Sequence, residues 1–141
     1  MIGEIWRSYR ALPLWVQGWV LVILVPVNMA SLALLGQESG AAVAALAIGA
    51  MLLNGVIMLI ERGFSKAMAL PHVVIWTPLV LWIVWMLATG TGAAAQMGMQ
   101  TGAGRVLWLL LAVDLVSLVL DWRDAWLWLR GERQVAGQGE V

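Results

Sequence analysis

The sequence predicts an all-α polytopic membrane protein: a four-transmembrane-helix up-down bundle with a cytoplasmic, interfacial C-terminal helix extension. Three observations predict it. Of 141 residues, 62% are hydrophobic and only 11% charged, against roughly 45–50% and 25% in an ordinary soluble domain. The apolar residues run in long blocks, so the excess is not a soluble core alternating with a polar surface. The Lys and Arg residues fall almost entirely in alternate gaps between those blocks. A disordered tail and a nucleic-acid-binding module are excluded, since eight basic and eight acidic residues leave no net field. With no cysteine in the chain, disulfides, thiolate metal sites and cysteine nucleophiles are excluded as well.

The elements follow in order. Residues 1–11, with Trp6, Arg7 and Arg10, read as a short cytoplasmic interfacial segment. The transmembrane domain is expected over 12–130, with spans at about 12–35, 41–60, 72–89 and 103–122, because a bilayer core of ~30 Å needs about 20 apolar residues. The second carries no charge and only Asn54 as a strongly polar residue. Pro71 suggests a start for the third near His72. A cleaved signal peptide competes for the first block, since Ser31-Leu32-Ala33 ends an apolar run after Arg7 and Arg10; the run is too long for that, and Pro26 and Asn28 suit a bundled helix. Residues 131–141 read as a flexible cytoplasmic tail after Gly131.

Orientation follows from basic residues. Arg7 and Arg10, Arg62 and Lys66, and Arg123, Arg130 and Arg133 fall on one side of four spans; only Arg105 lies at the opposite edge. Both termini are therefore expected in the cytoplasm, and the compact chain without an organelle-targeting presequence points to a bacterial inner membrane. Nine of the ten tryptophans group near expected interfaces, where an indole settles at headgroup level. Ala41, Ala45 and Gly49 share a spacing of four, which suits a close helix seam inside the monomer or between copies. Pro26 and Pro78 predict kinks, each crowding the carbonyl four residues earlier, Val22 and Val74, with Asn28 and Thr77 near enough to assist.

Candidate site residues are the polar groups within spans. Asp114 falls within a turn of the middle of the fourth span; a charged aspartate there costs about 2.5–3.5 kcal/mol, so it must be paired or carry its proton. Ser117 and Asp121 follow at i+3 and i+7 on the same face. Counting from span centres places Asn54 near Ser117, and His72 near Asp121. The expected contacts are therefore His72 with Asp121 and Asn54 with Asp114, with Asn28 isolated in an otherwise apolar outer half. Metal binding is not expected; Met97 and Met99 form a thin thioether pair at best. A lone His gives no haem site beyond pairing with a methionine or across an oligomer, and no cofactor is expected.

Asp114 with Asp121, and His72 with Asp121, are the only acid–base pairs on offer and neither has a nucleophile, so an enzyme is not expected. Three functions fit the remaining features. The first is an ion- or proton-linked transport or channel-type protein centred on Asp114, small enough to need an oligomer. The second is a non-catalytic accessory or assembly subunit of a larger membrane complex. The third is a lipid-binding membrane protein. The expected partners are membrane lipids and a homo-oligomer or larger membrane complex, with no nucleic acid.

Overall fold

The computed structural model describes residues 1–92 and 98–138. The described residues are helical throughout their regular structure, with no strand among them; Ser65 and Val135 form an isolated antiparallel bridge. A short amphipathic helix α1 (Ile2–Ala11) precedes four long ones: α2 (Leu14–Leu34), α3 (Gly40–Glu61), α4 (Lys66–Thr89) and α5 (Gly102–Leu129). These four are long and apolar enough to cross a membrane.

Two boundaries differ from expectation. α4 starts at Lys66 instead of His72: the Ser65 hydroxyl accepts from the Ala67 N–H (3.2 Å), a 3-10 turn Lys66–Met68 opens the helix, and Pro71 ends the short α-helical stretch Ala69–Pro71 that follows it. At the other end, the expected interfacial extension is continuous with α5, which runs unbroken to Leu129 before Gly131 turns at φ +100°.

Both interior prolines follow a widened turn. Trp19–Leu24 in α2 and His72–Trp76 in α4 are π-helical, and α-helix resumes at Val25 and Thr77, with Pro26 and Pro78 in its first two positions. Val22 and Val74, whose carbonyls the proline rings would crowd, lie inside those π turns; the wider register is how the helix relieves the clash. The side chains expected to assist do not. Asn28 bonds the Leu24 carbonyl, and the Thr77 hydroxyl is buried with no partner among the described residues.

Each long helix turns one stripe inward at helical spacing. α5 buries Gly104, Leu107, Leu111, Asp114 and Leu118 along one such row, and α4 buries His72, Trp76, Leu79, Ile83 and Met86. In α3 the buried row is Val43, Ala44, Ala47 and Ala50, while Ala41 and Ala45 are exposed. The expected monomer seam at 41, 45 and 49 is thus corrected: a strict spacing of four drifts around a helix of 3.6 residues per turn, and alternating steps of three and four keep the face.

The connections meet at two ends. At one, α1, the α3–α4 loop and the tail converge: the Phe64 N–H donates to the Ser8 hydroxyl (2.8 Å), and the Ala136 N–H donates to the Phe64 carbonyl (2.9 Å). Gly63 makes this possible, since a Cβ there would lie 2.5 Å from Val135 Cγ1 and 2.7 Å from Ser8 Oγ. Lys66 and Glu132 form an ion pair beside it. Residues 131–138, expected as a flexible tail, therefore return to the loop as backbone partners. At the opposite end the α2–α3 turn closes tightly, and a Cβ on Gly40 would overlap the Leu34 carbonyl oxygen at 1.7 Å.

Candidate functional site

Two buried polar groups tie the helices together, and they sit at different heights. The deeper one joins α2 to α5. Asn28 and Asp114 are both 0% exposed, and the Asn28 amide nitrogen donates to Asp114 Oδ1 (3.0 Å) and to the Leu24 carbonyl (3.1 Å). Both amide hydrogens are thereby used. The remaining atoms of the pair, Asn28 Oδ1 and Asp114 Oδ2, are buried acceptors without a partner among the described residues.

The partner expected for Asp114 was Asn54; this is corrected to Asn28, which is not isolated. Counting heights from the centre of each apolar run assumes straight helices perpendicular to a common plane. The π turn in α2 breaks that assumption: it shortens the rise and shifts the phase of everything after Leu24, turning Asn28 toward α5.

The shallower group joins α3, α4 and α5. His72 Nδ1 lies 2.9 Å from Asp121 Oδ2, and His72 Nε2 lies 2.9 Å from Asn54 Nδ2. The His72–Asp121 contact matches the sequence expectation. An amide nitrogen can only donate, so Nε2 accepts from Asn54 and the ring proton sits on Nδ1, facing the Asp121 carboxylate. The imidazole side chain is only 5% exposed and that of Asp121 19%. Asn54 Oδ1 is buried and unpartnered, so an inverted amide would offer His72 an acceptor if Nε2 were protonated. The triad can be satisfied in either protonation state of the ring.

Tryptophans hold this group in place, a role their expected interfacial grouping did not reveal. Trp76 is fully buried, stacks on His72 (centroids 3.7 Å apart, planes 4° from parallel) and donates its indole N–H to the Ala47 carbonyl (3.2 Å). The only clue in the sequence is His72 and Trp76 at i and i+4. Trp19 crosses from α2 to donate to the Ser117 hydroxyl (3.2 Å). Ser117 thus lies on the same face of α5 as Asp114 and Asp121, between the two polar groups, and is itself buried.

A cavity of about 1090 Å³ opens beside the shallower group, at the end where α1, the loop and the tail converge. Asn54, His72, Ser117 and Asp121 line it; Asp114 and Asn28 do not. Beyond Asp114, toward the opposite end, the space between helices is filled by Leu34, Val43, Ile83, Met86, Leu107 and Leu110. Among the described residues, the polar ladder opens to one end only. No group of three or more His, Cys, Asp or Glu residues among those described could hold a metal. Met99 is exposed, and Met97 lies outside the described residues, so the thioether pair stays a sequence expectation. No protein family, curated protein or solved structure matches this chain.

Proposed function

We propose that this is a small integral membrane protein that exchanges protons between the cavity and the Asn28–Asp114 pair, as the working part of an ion- or proton-linked transport activity. In this reading α2–α5 cross the membrane as an up-down bundle. Both termini and the basic α3–α4 loop face the cytoplasm of a bacterial inner membrane, consistent with the basic residues at the converging end.

The observation that carries the reading is the pair of orphaned acceptors. Two buried oxygens facing no donor are costly in a medium without water. A proton on Asp114 Oδ2 would give the pair a donor where two acceptors stand without one. That supports reading the pair as a proton-holding site. His72 can accept a proton at Nε2 when Asn54 inverts, and Asp121 balances the charge, which provides an exchange point in the cavity wall. Ser117, one turn from Asp114, is the hydroxyl between the two levels.

The packed apolar half opposes a static pore through one chain, so flux requires the α5 face to alternate or a second copy to complete the path. The test uses proteoliposomes of stated orientation carrying an internal pH dye, with infrared difference spectra of the carboxyl band on acidification. A protonated-carboxyl signal lost in Asp114→Asn, with proton movement lost in the same variant, supports the reading. A wild-type protein without either signal overturns it, and co-purification of foreign subunits in fixed ratio with wild-type behaviour of Asp114→Asn would favour an accessory subunit instead.

A further inference from the structure

The geometry points to a binding site, in the same cavity, for an amphiphile with a cationic head: a lipophilic amine, phosphonium or quaternary ammonium compound. This goes beyond proton exchange at Asp114 and does not depend on it.

The volume of about 1090 Å³ lies just above the roughly 300–1,000 Å³ of ordinary small-molecule sites and is far more than ordered water at a His–Asp pair requires. Its walls differ in chemistry. α2 and the turn before it present Leu12, Val16, Val20 and Leu24, spaced by four, as one apolar wall. Opposite, α4 and α5 present His72, Asp121 and Asp124. A ligand filling this space needs an apolar body and a polar end.

Charge selects the sign of that end. Two carboxylates, Asp121 and Asp124, face the cavity. The Asp121 carboxylate already has a partner in the His72 ring, 2.9 Å away, while Asp124, whose side chain is 39% exposed, is the carboxylate open to a ligand. The neighbour of Asp124 is Arg123 at 3.6 Å, with that guanidinium 73% exposed to solvent, and such surface pairs are weak. Among the lining residues Lys66 is the one Lys or Arg, and it is held by Glu132. The wall is acidic on balance. An anionic lipid or fatty acid would place its head against carboxylates, while a cation gains from Asp124, with Asp121 and Trp19 also on the lining.

The full chain in lipid nanodiscs, with empty discs as the partition control, is titrated with tetraphenylphosphonium, and in parallel with its anionic isostere tetraphenylborate and neutral triphenylphosphine oxide. Saturable binding of the phosphonium at one per chain, absent for the other two, is expected. Asp124→Asn should weaken it by about tenfold, the effect of one partly screened charge. Val20→Trp, which fills the cavity from the apolar wall, should abolish it while helical content and the His72–Asp121 imidazole signals stay as in the wild type. Equal binding of the borate or the neutral oxide, uptake no greater than in empty discs, or an affinity indifferent to both substitutions overturns the assignment. Proton exchange at Asp114 is read separately from its carboxyl band, so either idea can fail alone.

Discussion

Replacing Asp114 by asparagine should leave the protein as stable as the wild type or more so, whereas alanine should weaken it. The asparagine keeps an acceptor for the Asn28 amide at the Oδ1 position and adds two donors where Oδ2 faces no partner. It thus replaces the acid–amide pair by a permanently neutral amide–amide pair. Alanine deletes the acceptor and leaves Asn28 Nδ2 bonded only to the Leu24 carbonyl. Interhelical hydrogen bonds in membranes average about 0.6 kcal/mol and reach about 1.7. Both partners here are 0% exposed, so water cannot replace the lost bond, and the upper end applies: about 1.5 kcal/mol for the Asn28–Asp114 coupling. A double-mutant cycle of Asn28→Ala and Asp114→Ala measures it, with reversible unfolding in mixed micelles followed by tryptophan fluorescence. If Asp114 were held as an anion instead, Asn28→Ala alone would strand a buried charge and cost about 3–5 kcal/mol. An Asp114→Asn variant as unstable as Asp114→Ala, or a coupling near zero, refutes the reasoning from orphaned acceptors.

Three further outcomes are expected. Gly63→Ala places a methyl against Val135 and Ser8, so overpacking of about 1–3 kcal/mol should release the tail and α1 together, seen as faster proteolysis after Arg130 and Arg133; wild-type cleavage would count against the convergence. The hydrogen bond from the Lys66 ammonium holds the Glu132 carboxyl below the usual glutamate range. A lowered folded-state value makes its contribution present above the unfolded value and lost as pH falls through the folded one, so acid should loosen the tail, and Glu132→Gln should remove that pH dependence from hydrogen exchange at Ala136. Trp76→Phe keeps a ring over His72 but removes the donor to the Ala47 carbonyl, at about 1 kcal/mol in thermal unfolding, and a wild-type stability would show that bond to be idle.

The long helices were legible because length and apolar composition are local properties: the expected blocks at 12–35, 41–60 and 103–122 overlap α2, α3 and α5 closely. The stripe Asp114, Ser117 and Asp121 was legible for the same reason, since i+3 and i+7 on one helix need no tertiary information. Cross-helix pairing was legible only in part. His72 found Asp121 as expected, yet Asn54 met His72 and Asn28 met Asp114, because pairing depends on tilt, phase and the π turns, which hydropathy does not encode. Trp76 escaped notice because tryptophan composition speaks for interfaces, and only the stacked ring and the Ala47 carbonyl reveal its other use.

The two π turns connect sequence to chemistry most directly. Helices in lipid have little hydrophobic reason to adhere, so close packing and polar ties decide how they meet. A straight α2 and a straight α4 would each pack one regular row against α5 along their length. Proline forces each to open a wide turn just before it, and each wide turn lies at the cavity: Trp19, Val20 and Leu24 from α2 line it, as does His72 from α4. Past the prolines regular packing resumes, and Leu79, Ile83 and Met86 close the opposite half against α5 and its neighbours. The same two residues therefore account for a polar half with a cavity and an apolar, packed one, and Asp114 lies where they meet because Asn28, two positions after Pro26, is the first polar side chain that the resumed helix can turn toward α5.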